Sequence, residues 1–516
     1  MSVAAATADG VSEVHPTVKH RGLITVSVML ASVMQVLDNT IANVALPHIQ
    51  GSLSSTQDQM SWVLTSYIVA AAIMTPLSGW LAGRFGRRRV FLFSIFGFTL
   101  ASAFCGLANS LPEIVTARLL QGISGAALVP MAQATLLDIN PPERHARAMT
   151  TWVMGITLGP ILGPALGGWL TEAYTWRWVF YINVPIGILS FLGVMSFLKE
   201  TPQKISRFDF MGFASLALAI GSFQLMLDRG QGNDWFNDPE TWIEAGIAAL
   251  SMYTFIVHIL TTKHAPFVSL RLFRDRNFLT GCIFIFIVGV VLFATLALLP
   301  PMLQGLLNYP IVLTGLVTAP RGIGTLLAMV LVSVLAGRVD QRYMVVAGLL
   351  ITALALWQMT GFYLQMGPGM VIWSGVLQGI GTGLAFVPLS TIAFSTLAPQ
   401  LRNEGTAMFS LMRNIGSSIG ISVVVMMWVR NTQIMHSRLA EHITPFSDGL
   451  TPLNEALASP MGLAGINASV TQQAAMLAYN NDFKLMLVLT LCAVPLTLLL
   501  RSSKGARNEQ AAAVIE

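Results

Sequence analysis

The chain has 516 residues, of which 54% are hydrophobic and only 10% are charged, and its mean hydropathy is +0.67. Soluble domains carry about 25% charged residues, so this composition excludes a water-soluble globular protein and indicates a polytopic membrane protein. The net charge of +5 does not indicate nucleic-acid binding, because the basic residues lie in short segments between apolar runs. The sequence has no nucleotide-binding glycine loop, metal-ligand cluster or Ser-His-Asp set, so we expect no enzyme, no metal and no cofactor.

Fourteen apolar runs divide the chain, each about 18 to 26 residues long, which is the length that an α-helix needs to span a bilayer. They cover 22–46, 60–82, 90–109, 113–137, 147–171, 178–198, 209–227, 241–261, 278–300, 312–336, 344–364, 369–394, 404–429 and 484–501. If the first segment is cytoplasmic, 21 of the 29 Lys and Arg residues fall on the cytoplasmic side and five fall outside. Because basic loops stay in the cytoplasm, this distribution predicts cytoplasmic tails at 1–21 and 502–516.

A carboxylate lies inside the first predicted span. Asp38 would cost about 3 kcal/mol at the centre of a bilayer, so such a residue usually faces the protein interior and has a task. We interpret it as a proton-binding site, because a buried carboxyl group can gain and lose a proton near neutral pH. A structural ion pair is the alternative. Arg118 in the fourth span is the expected partner, since Asp38 is the only acid that we place well inside a span.

The two ends of the chain resemble each other. Arg338 follows Arg84 by 254 residues in a shared Leu-Ala-Gly-Arg context, and Gln378 follows Gln121 by 257 residues in a shared Leu-Gln-Gly-Ile context. A duplication with nearly one offset predicts two six-helix bundles with a site between them, which is a transporter architecture. The bundles would cover 22–198 and 278–501, the second including a long outer loop at 430–483, and 199–277 would be an inserted helix pair with its linkers.

Three motifs mark the first half: 79–89 is GWLAGRFGRRR, 118–122 is RLLQG and 155–168 is GITLGPILGPALGG. In the first, glycine permits a tight turn and arginines can pair with the other half and hold one conformation. In the third, glycines four residues apart let a second helix approach closely, and prolines permit bending. The residues expected to control conformation are Gly79, Arg84, Gly86, Arg87, Gly155, Gly159, Pro160, Gly163, Pro164, Gly167 and Gly168.

Together with 37–47 (LDNTIANVALP) and 176–187 (WRWVFYINVPIG), these motifs resemble the major facilitator superfamily, specifically the fourteen-span drug:proton antiporters of the EmrB/QacA type. The resemblance covers nearly the whole chain. The segment 79–89 is similar to the superfamily's loop motif, but Gly83 stands where that motif has Asp, which puts a charge relay through this position in question. The motif at Arg118 is similar to one tied to proton transfer, and 155–168 is similar to a signature that uptake members generally lack.

The resemblance implies an all-α major facilitator fold with 14 transmembrane helices. It implies a proton-coupled multidrug efflux antiporter of the bacterial inner membrane that works by alternating access, with Asp38 and Arg118 coupling the proton. Its ligands would be small-molecule drugs and protons, with no nucleic acid and no cofactor beyond the proton gradient. The loop 430–483 is similar to the part of such pumps that faces a periplasmic membrane-fusion adaptor (EmrA-like), and through it an outer-membrane channel.

The charges predicted inside the spans limit the substrate. Arg118, Arg321 and Arg413 stand against Asp38 alone, so we expect neutral or weakly acidic amphipathic compounds, such as uncouplers, hydrophobic antibiotics and fatty acids, rather than dications. The residues expected to line the cavity are Met34, Gln35, Asn39, Trp62, Gln121, Gln304, Arg413 and Asn414. Three alternatives stay open: an exporter that needs no adaptor, a proton-coupled uptake symporter, and a membrane sensor of the same fold that does not transport.

Overall fold

The structure is a computed structural model, and it describes residues 19–55, 57–141, 144–203, 207–230, 232–262, 266–335, 338–443 and 460–500. Almost all of these residues are α-helical. The helices are α1 (Arg21–Leu53), α2 (Gln57–Phe85), α3 (Arg87–Leu107), α4 (Leu111–Gly125), α5 (Leu128–Ile139), α6 (His145–Ala173), α7 (Trp178–Tyr181), α8 (Asn183–Phe197), α9 (Phe210–Arg229), α10 (Pro239–Thr261), α11 (Arg271–Arg274), α12 (Arg276–Pro301), α13 (Ile311–Thr318), α14 (Pro320–Leu335), α15 (Gln341–Met359), α16 (Pro368–Ser395), α17 (Arg402–Ala440) and α18 (Pro460–Leu496).

Within this described part, thirteen helical stretches are long and apolar enough to cross a membrane, with α4–α5, α7–α8 and α13–α14 each forming one stretch. Helix α6 adds a further helix of 29 residues at the position of the predicted fifth span. It is about 43 Å long at 1.5 Å per residue, and the hydrocarbon core of a bilayer is about 30 Å thick. The helices are therefore consistent with the fourteen predicted spans, and the all-α membrane fold is confirmed.

The helices pack as two groups. In the first group α1 packs against α6 and α8, while α4 packs against α2 and α3. In the second group α12 packs against α16 and α17, α16 contacts α14 and α15, and α18 contacts α15 and α17. Helices α9 and α10 pack on each other, and α9 also touches α2 and α17. The two groups meet where α2 and α5 contact α17 and where α6 contacts α14 and α16.

Helices extend into both ends of the outer loop predicted at 430–483. Helix α17 continues to Ala440 and α18 already begins at Pro460. Hydropathy does not predict these helix ends, because it indicates only where the apolar, lipid-contacting part of a helix ends. The polar parts of α17 and α18 beyond that point are rich in good helix formers such as Met, Ala, Gln and Arg, so the helices continue. The segment 444–459 lies outside the described residues.

The hydropathy boundary of α18 also led to a wrong predicted position for one acidic residue. Hydropathy assigned Asp482 to the outer loop, but the side chain lies within α18 and is completely buried. The expectation that Asp38 is the only acid well inside a span is therefore wrong. The polar run 480–484 (NNDFK) lowers the local hydropathy and moves the apparent start of the span past Asp482.

Candidate functional site

The carboxylate of Asp38 is the centre of a buried polar cluster. Arg118 Nη1 donates to Asp38 Oδ2 at 2.6 Å, and Oδ1 accepts from Gln121 Nε2 at 2.9 Å and from Asn183 Nδ2 at 2.7 Å. All four side chains are completely buried. The predicted pairing of Asp38 with Arg118 is therefore formed in the structure, and the pair does not stand alone, since two amides complete the coordination of the carboxylate.

Four helices hold the cluster together. Arg118 and Gln121 lie three residues apart on α4, which places both on one face of the helix, and this face meets Asp38 on α1. Asn183 is the first residue of α8 and is held by a second bond, in which its Nδ2 donates to Ser102 Oγ on α3 at 3.0 Å. The cluster thus fixes α1, α3, α4 and α8 relative to one another.

The guanidinium of Arg118 has further partners. Its Nε donates to the carbonyl of Val63 on α2 at 3.1 Å, its Nη1 also donates to Gln121 Oε1 at 2.8 Å, and its Cζ lies 4.3 Å from the centre of the Tyr67 ring. Arg118 therefore retains contacts with α2 and α4 if Asp38 is neutralised. The arrangement lets Asp38 change charge while a buried cation stays partly solvated, as proton exchange at this site would require.

Asn183 and Ser102 were not predicted as site residues. Both are small polar residues in otherwise apolar helices, which is a weak signal because such residues often bond only to their own helix backbone. Asn183 lies in the segment 176–187 that carries the family resemblance, but its contact with Asp38 spans 145 residues of sequence. Only the folded chain shows that this amide reaches the acid.

The loop motif at 79–89 lies where the two helix groups meet. Arg87 donates to Asn403 Oδ1 through Nη2 at 2.6 Å and forms an ion pair with Asp138 at 2.7 Å. Arg402 forms a second ion pair with Asp138 at 2.7 Å. We call Arg87, Asp138, Arg402 and Asn403 the interdomain latch, because Arg402 and Asn403 begin α17 whereas Arg87 and Asp138 belong to the first group. The basic motif was expected to pair across the halves, but Asp138, Arg402 and Asn403 were not foreseen.

The other residues of this motif have distinct surroundings. Gly79 lies against the backbone of Glu404, whose Cα would be 3.0 Å from a Cβ at position 79. Gly86 precedes α3 with φ of +89°, a conformation that favours glycine. Glu200 accepts from the first amides of α3, at Arg88 and Arg89. Arg84 is half-buried at the end of α2, and a Cβ at Gly83 would have nothing within 4 Å among the residues that the structure describes.

The glycines of α6 form a seam with α1. A Cβ at Gly159 would lie 2.8 Å from Val36 Cγ1 and 3.0 Å from the Leu37 amide nitrogen, next to Asp38. Gly155, Gly163 and Gly167 face Met29, Thr40 and Ile41 in the same way, whereas Gly168 has nothing within 4 Å among the described residues. Thr40 Oγ1 donates to the Gly159 carbonyl at 3.1 Å. Pro160 and Pro164 lie within α6, which is continuous.

Of the eight residues predicted to line a cavity, the structure brings only Gln121 into hydrogen-bond contact with Asp38 among the described residues. Met34 is completely buried, and Gln35, Asn39, Arg413 and Asn414 are half-buried. Trp62 is 40% exposed, with its ring 5.6 Å from the guanidinium of Arg229, and Gln304 is exposed in the π-helical turn Met302–Leu306. The cavity stays a prediction.

A family model described as Major Facilitator Superfamily matches residues 28–421. The chain belongs to the Major Facilitator Superfamily. It is 37% identical over 492 residues to the fatty acid resistance protein FarB of Neisseria gonorrhoeae, covering 93% of this chain and 97% of the relative. It is 36% identical over 470 residues to the multidrug export protein EmrB of Escherichia coli K12, covering 89% and 91%. The predicted resemblance to the EmrB-type members of this superfamily is confirmed.

Solved structures support the same fold. The human organic anion transporter MFSD10 superposes with a TM-score of 0.59 at 14% identity, covering 91% of this chain and 99% of that one. A bacterial homologue of the lysosomal transporter Spinster superposes with a TM-score of 0.54 at 19% identity, covering 93% and 98%. As a member of the Major Facilitator Superfamily, the protein is a multi-pass membrane transporter and not an enzyme.

Proposed function

We propose that this protein is a proton-coupled multidrug efflux antiporter of the bacterial inner membrane, with both termini in the cytoplasm. It exports neutral or weakly acidic amphipathic compounds by alternating access. The printed names of two relatives, a multidrug export protein and a fatty acid resistance protein, support export of such compounds. The observation that carries the proposal is the completely buried Asp38–Arg118 ion pair, since a buried acid in a transporter span is the natural place for a coupling proton.

The hydrogen bonds of Asp38 explain how a proton could drive a conformational change. Three donors bind the two carboxylate oxygens, and a proton on the carboxylate removes the negative charge that strengthens these three hydrogen bonds. Breaking a buried ion pair costs about 3 to 5 kcal/mol when one charge is left without a partner. Protonation therefore loosens α1 from α4 and α8, and the glycine seam passes the displacement of α1 to α6, which contacts the second group of helices.

The cycle follows from two states that bind protons and drug differently. From the outer side Asp38 takes up a proton, the affinity for the drug falls and the drug leaves. On the inner side the proton escapes, Asp38 pairs with Arg118 again, and a new drug molecule binds. One proton that moves down a potential of about 100 mV supplies about 2.3 kcal/mol to this cycle.

The charges inside the bundle favour the proposed substrates. Arg321 is buried and forms no ion pair in the described part of the chain, and Arg413, half-buried, likewise has no acidic partner there. The unpaired positive charge of this interior would repel an entering dication, whereas it would not repel a weak acid or a neutral amphiphile. The name of FarB agrees with this class of compound.

The pump acts with a periplasmic membrane-fusion adaptor and, through it, an outer-membrane channel. Helices α17 and α18 have 39 and 37 residues, or about 58 and 55 Å, against about 30 Å of hydrocarbon. Their ends near Ala440 and Pro460 form what we call the outer hairpin, held by a 2.9 Å hydrogen bond between His436 and Asn467.

The adaptor contact can be tested at Met461. This residue on the outer hairpin is 86% exposed, so Met461→Glu should reduce co-purification of a co-expressed adaptor and leave vesicle transport intact. Unchanged co-purification would favour an exporter without an adaptor.

The experiment that tests antiport is substrate-driven proton flux in proteoliposomes. Wild type and Asp38→Asn would each receive a weak-acid uncoupler analogue, a hydrophobic antibiotic, a fatty acid and a dicationic dye. Wild type should move protons with the first three compounds, and Asp38→Asn should not. Asp234→Asn, in an exposed loop, is the matched control. Equal flux in wild type and Asp38→Asn would remove Asp38 from coupling, and preferred export of the dye would overturn the substrate class.

A further inference from the structure

Asp482 is a second buried acid, and its surroundings differ from those of Asp38. Neither carboxyl oxygen has a hydrogen-bond partner among the described residues. The side chain is completely buried on α18, and the adjacent Tyr479, Phe483 and Met486 belong to one apolar cluster. An ionised carboxylate in such a place has a large desolvation cost that nothing offsets. In this state the group therefore holds a proton.

No cation compensates Asp482 within the part of the chain that the structure describes. Helix α18 packs against α12, α15 and α17. Tyr479, three residues before Asp482 on α18 itself, is a titratable side chain that interacts electrostatically with the carboxyl group. Arg413 and Arg430 on α17 form no ion pair with it, and Lys484 on α18 is exposed. The other charged residues of these helices lie toward their ends: Arg276 on α12, Arg342 on α15, and Arg402, Glu404, His436 and Arg438 on α17.

The internal duplication allows the surroundings of Asp482 in the second half to be compared with those of Asp38 in the first half. Gln378 follows Gln121 by 257 residues, and Thr295 follows Asp38 by the same 257 residues. Gln121 donates to Asp38, and Gln378 Nε2 donates to Thr295 Oγ1 at 2.9 Å. The second half therefore keeps the contact between its first and fourth helices, α12 and α16, but a hydroxyl replaces the acid.

The last helix completes the comparison. In the first half α8 contributes the buried amide Asn183, and in the second half α18 contributes the buried acid Asp482. The two halves thus place completely buried polar side chains on corresponding helices, with the acid moved from the first helix to the last. Gly375 follows Arg118 by 257 residues, so the second half lacks the arginine, which explains why Asp482 is neutral and Asp38 is paired.

We infer that Asp482 is a second proton-binding site of the transport cycle, which serves the second half as Asp38 serves the first. The inference rests on the proposed antiport. A proton from the outer side binds the Asp482 carboxylate, and its loss to the inner side regenerates the carboxylate; no other bond changes. Thr295 Oγ1 lies 3.6 Å from the sulfur of Met486, one helical turn from Asp482, and it accepts from Gln378 Nε2. A shift of α18 would bring the ionised carboxylate toward two donors, this hydroxyl and the amide nitrogen of Gln378.

Infrared spectroscopy of the purified protein tests the proton directly. The carbonyl band of a protonated carboxylic acid should be present in wild type and in Asp38→Asn near neutral pH and should be absent in Asp482→Asn. It should shift in D2O and disappear between about pH 5 and about pH 9 as the site titrates. Asp482→Glu, which retains the carboxyl group, should keep a displaced band. Absence of any band that depends on residue 482, or a band unchanged over this range, would overturn the inference by showing a permanently ionised or permanently neutral structural acid.

Transport stoichiometry supplies the second test. At a potential of about 100 mV each coupled proton sustains about a fiftyfold concentration ratio of a neutral compound. With the neutral compound that wild type expels best, Asp482→Asn should lower the steady-state ratio about fiftyfold, and Asp482→Glu should restore it. An unchanged ratio in Asp482→Asn refutes the second site while antiport through Asp38 stands. If wild type shows no proton-driven ratio at all, the proposed function fails, and the infrared titration still decides whether Asp482 exchanges a proton.

Discussion

At the scale of single residues, the Asp38 cluster converts a change of charge into a change of geometry. Its carboxylate is bound by one guanidinium and two amides from two other helices. Because all are buried, water cannot replace a lost donor in this state. A single proton therefore alters contacts among α1, α4 and α8 at once, and the amides are as much part of the coupling device as the ion pair.

The amide of Asn183 provides the first prediction. We expect Asn183→Ala to lower substrate-driven proton flux in proteoliposomes about tenfold or more, because a hydrogen bond to a charged acceptor contributes about 1.5 to 3 kcal/mol. Asn183 is a positioning residue, so the pH profile of transport should also change. Size-exclusion elution of the purified protein would report folding.

A matched control lies on the same helix. Ser190 is also completely buried on α8 and donates to the carbonyl of Ser27 on α1 at 2.8 Å, away from Asp38. Ser190→Ala should weaken the packing of α8 on α1 with little effect on the pH profile. If the two variants behave alike, Asn183 only holds the helices together.

At the scale of elements, the glycine pattern of α6 is explained by its close packing against α1. Four of its glycines face α1 at intervals of four residues, and Thr40 bonds to the α6 backbone where side chains are missing. Such close packing supplies van der Waals contact, the main source of helix association in a membrane. The seam carries displacements of α1 to the second half of the molecule.

Gly159→Ala should therefore abolish most transport. In an isolated helix this change would stabilise by about 1 kcal/mol, but here the new methyl group meets Val36 and the backbone at Leu37 at 3.0 Å or less. The matched control is Gly168→Ala in the same helix, where the methyl group meets nothing within 4 Å among the described residues. Export rates in vesicles would compare the two, and equal loss in both would mean that helix flexibility, not the seam, matters.

The inserted pair α9–α10 is joined at Asp209, which caps α9. The carboxylate accepts from the amides of Gly212 at 2.9 Å and Phe267 at 3.0 Å and contacts His258 Nε2 at 2.8 Å. Burial alone would raise the pKa of Asp209, but these hydrogen bonds outweigh it and hold the pKa below its usual range. The cap therefore stabilises the folded protein above the unfolded-state value of about 3.9 and is lost as pH falls through the lower folded-state value.

Asp209→Asn should lower the thermal unfolding midpoint near neutral pH by an amount equivalent to about 0.3 to 1 kcal/mol, because it removes a negative charge from the N-terminus of α9. Because the wild-type carboxylate is protonated in strong acid, the difference between the two proteins should vanish as the pH falls through the lowered pKa of Asp209. Thermal unfolding in detergent at several pH values measures this. A difference that persists in acid would show that shape and not charge makes the cap.

Sequence patterns predicted the helices and the Asp38–Arg118 pair well, because apolar length, basic loops and an acid in a span are properties of single segments. They failed where tertiary structure decides. Helix α18 begins well before its hydropathy rises, which hid Asp482. Asn183 and Asp138 acquire their roles from partners 145 and 264 residues away, and no local pattern contains such distances.

At the scale of the whole molecule, the interdomain latch holds one end of the two halves together. Asp138 receives Arg87 from its own half and Arg402 from the other, and Arg87 also reaches Asn403. Positive-inside loops predict that this end faces the cytoplasm. We therefore propose that the latch closes the molecule on the cytoplasmic side and that opening toward the cytoplasm requires the latch to break.

Asp138→Asn should shift the molecule toward opening at the latch end. The carboxylate is 30% exposed, so solvent screens its two ion pairs, and we expect about 1 to 2 kcal/mol, or about a tenfold change in the population of the two states. Spin labels attached at Arg144 and Gln400, which are exposed and lie one in each half, would report the distance between the two halves at this end. Cys492→Ser would first remove the exposed native thiol.

Glu200→Gln is the matched control, since Glu200 caps α3 within the first half. A longer distance in Asp138→Asn alone would assign the closure to charge across the halves, whereas an unchanged distance would assign it to backbone packing of α2 on α17 at Gly79.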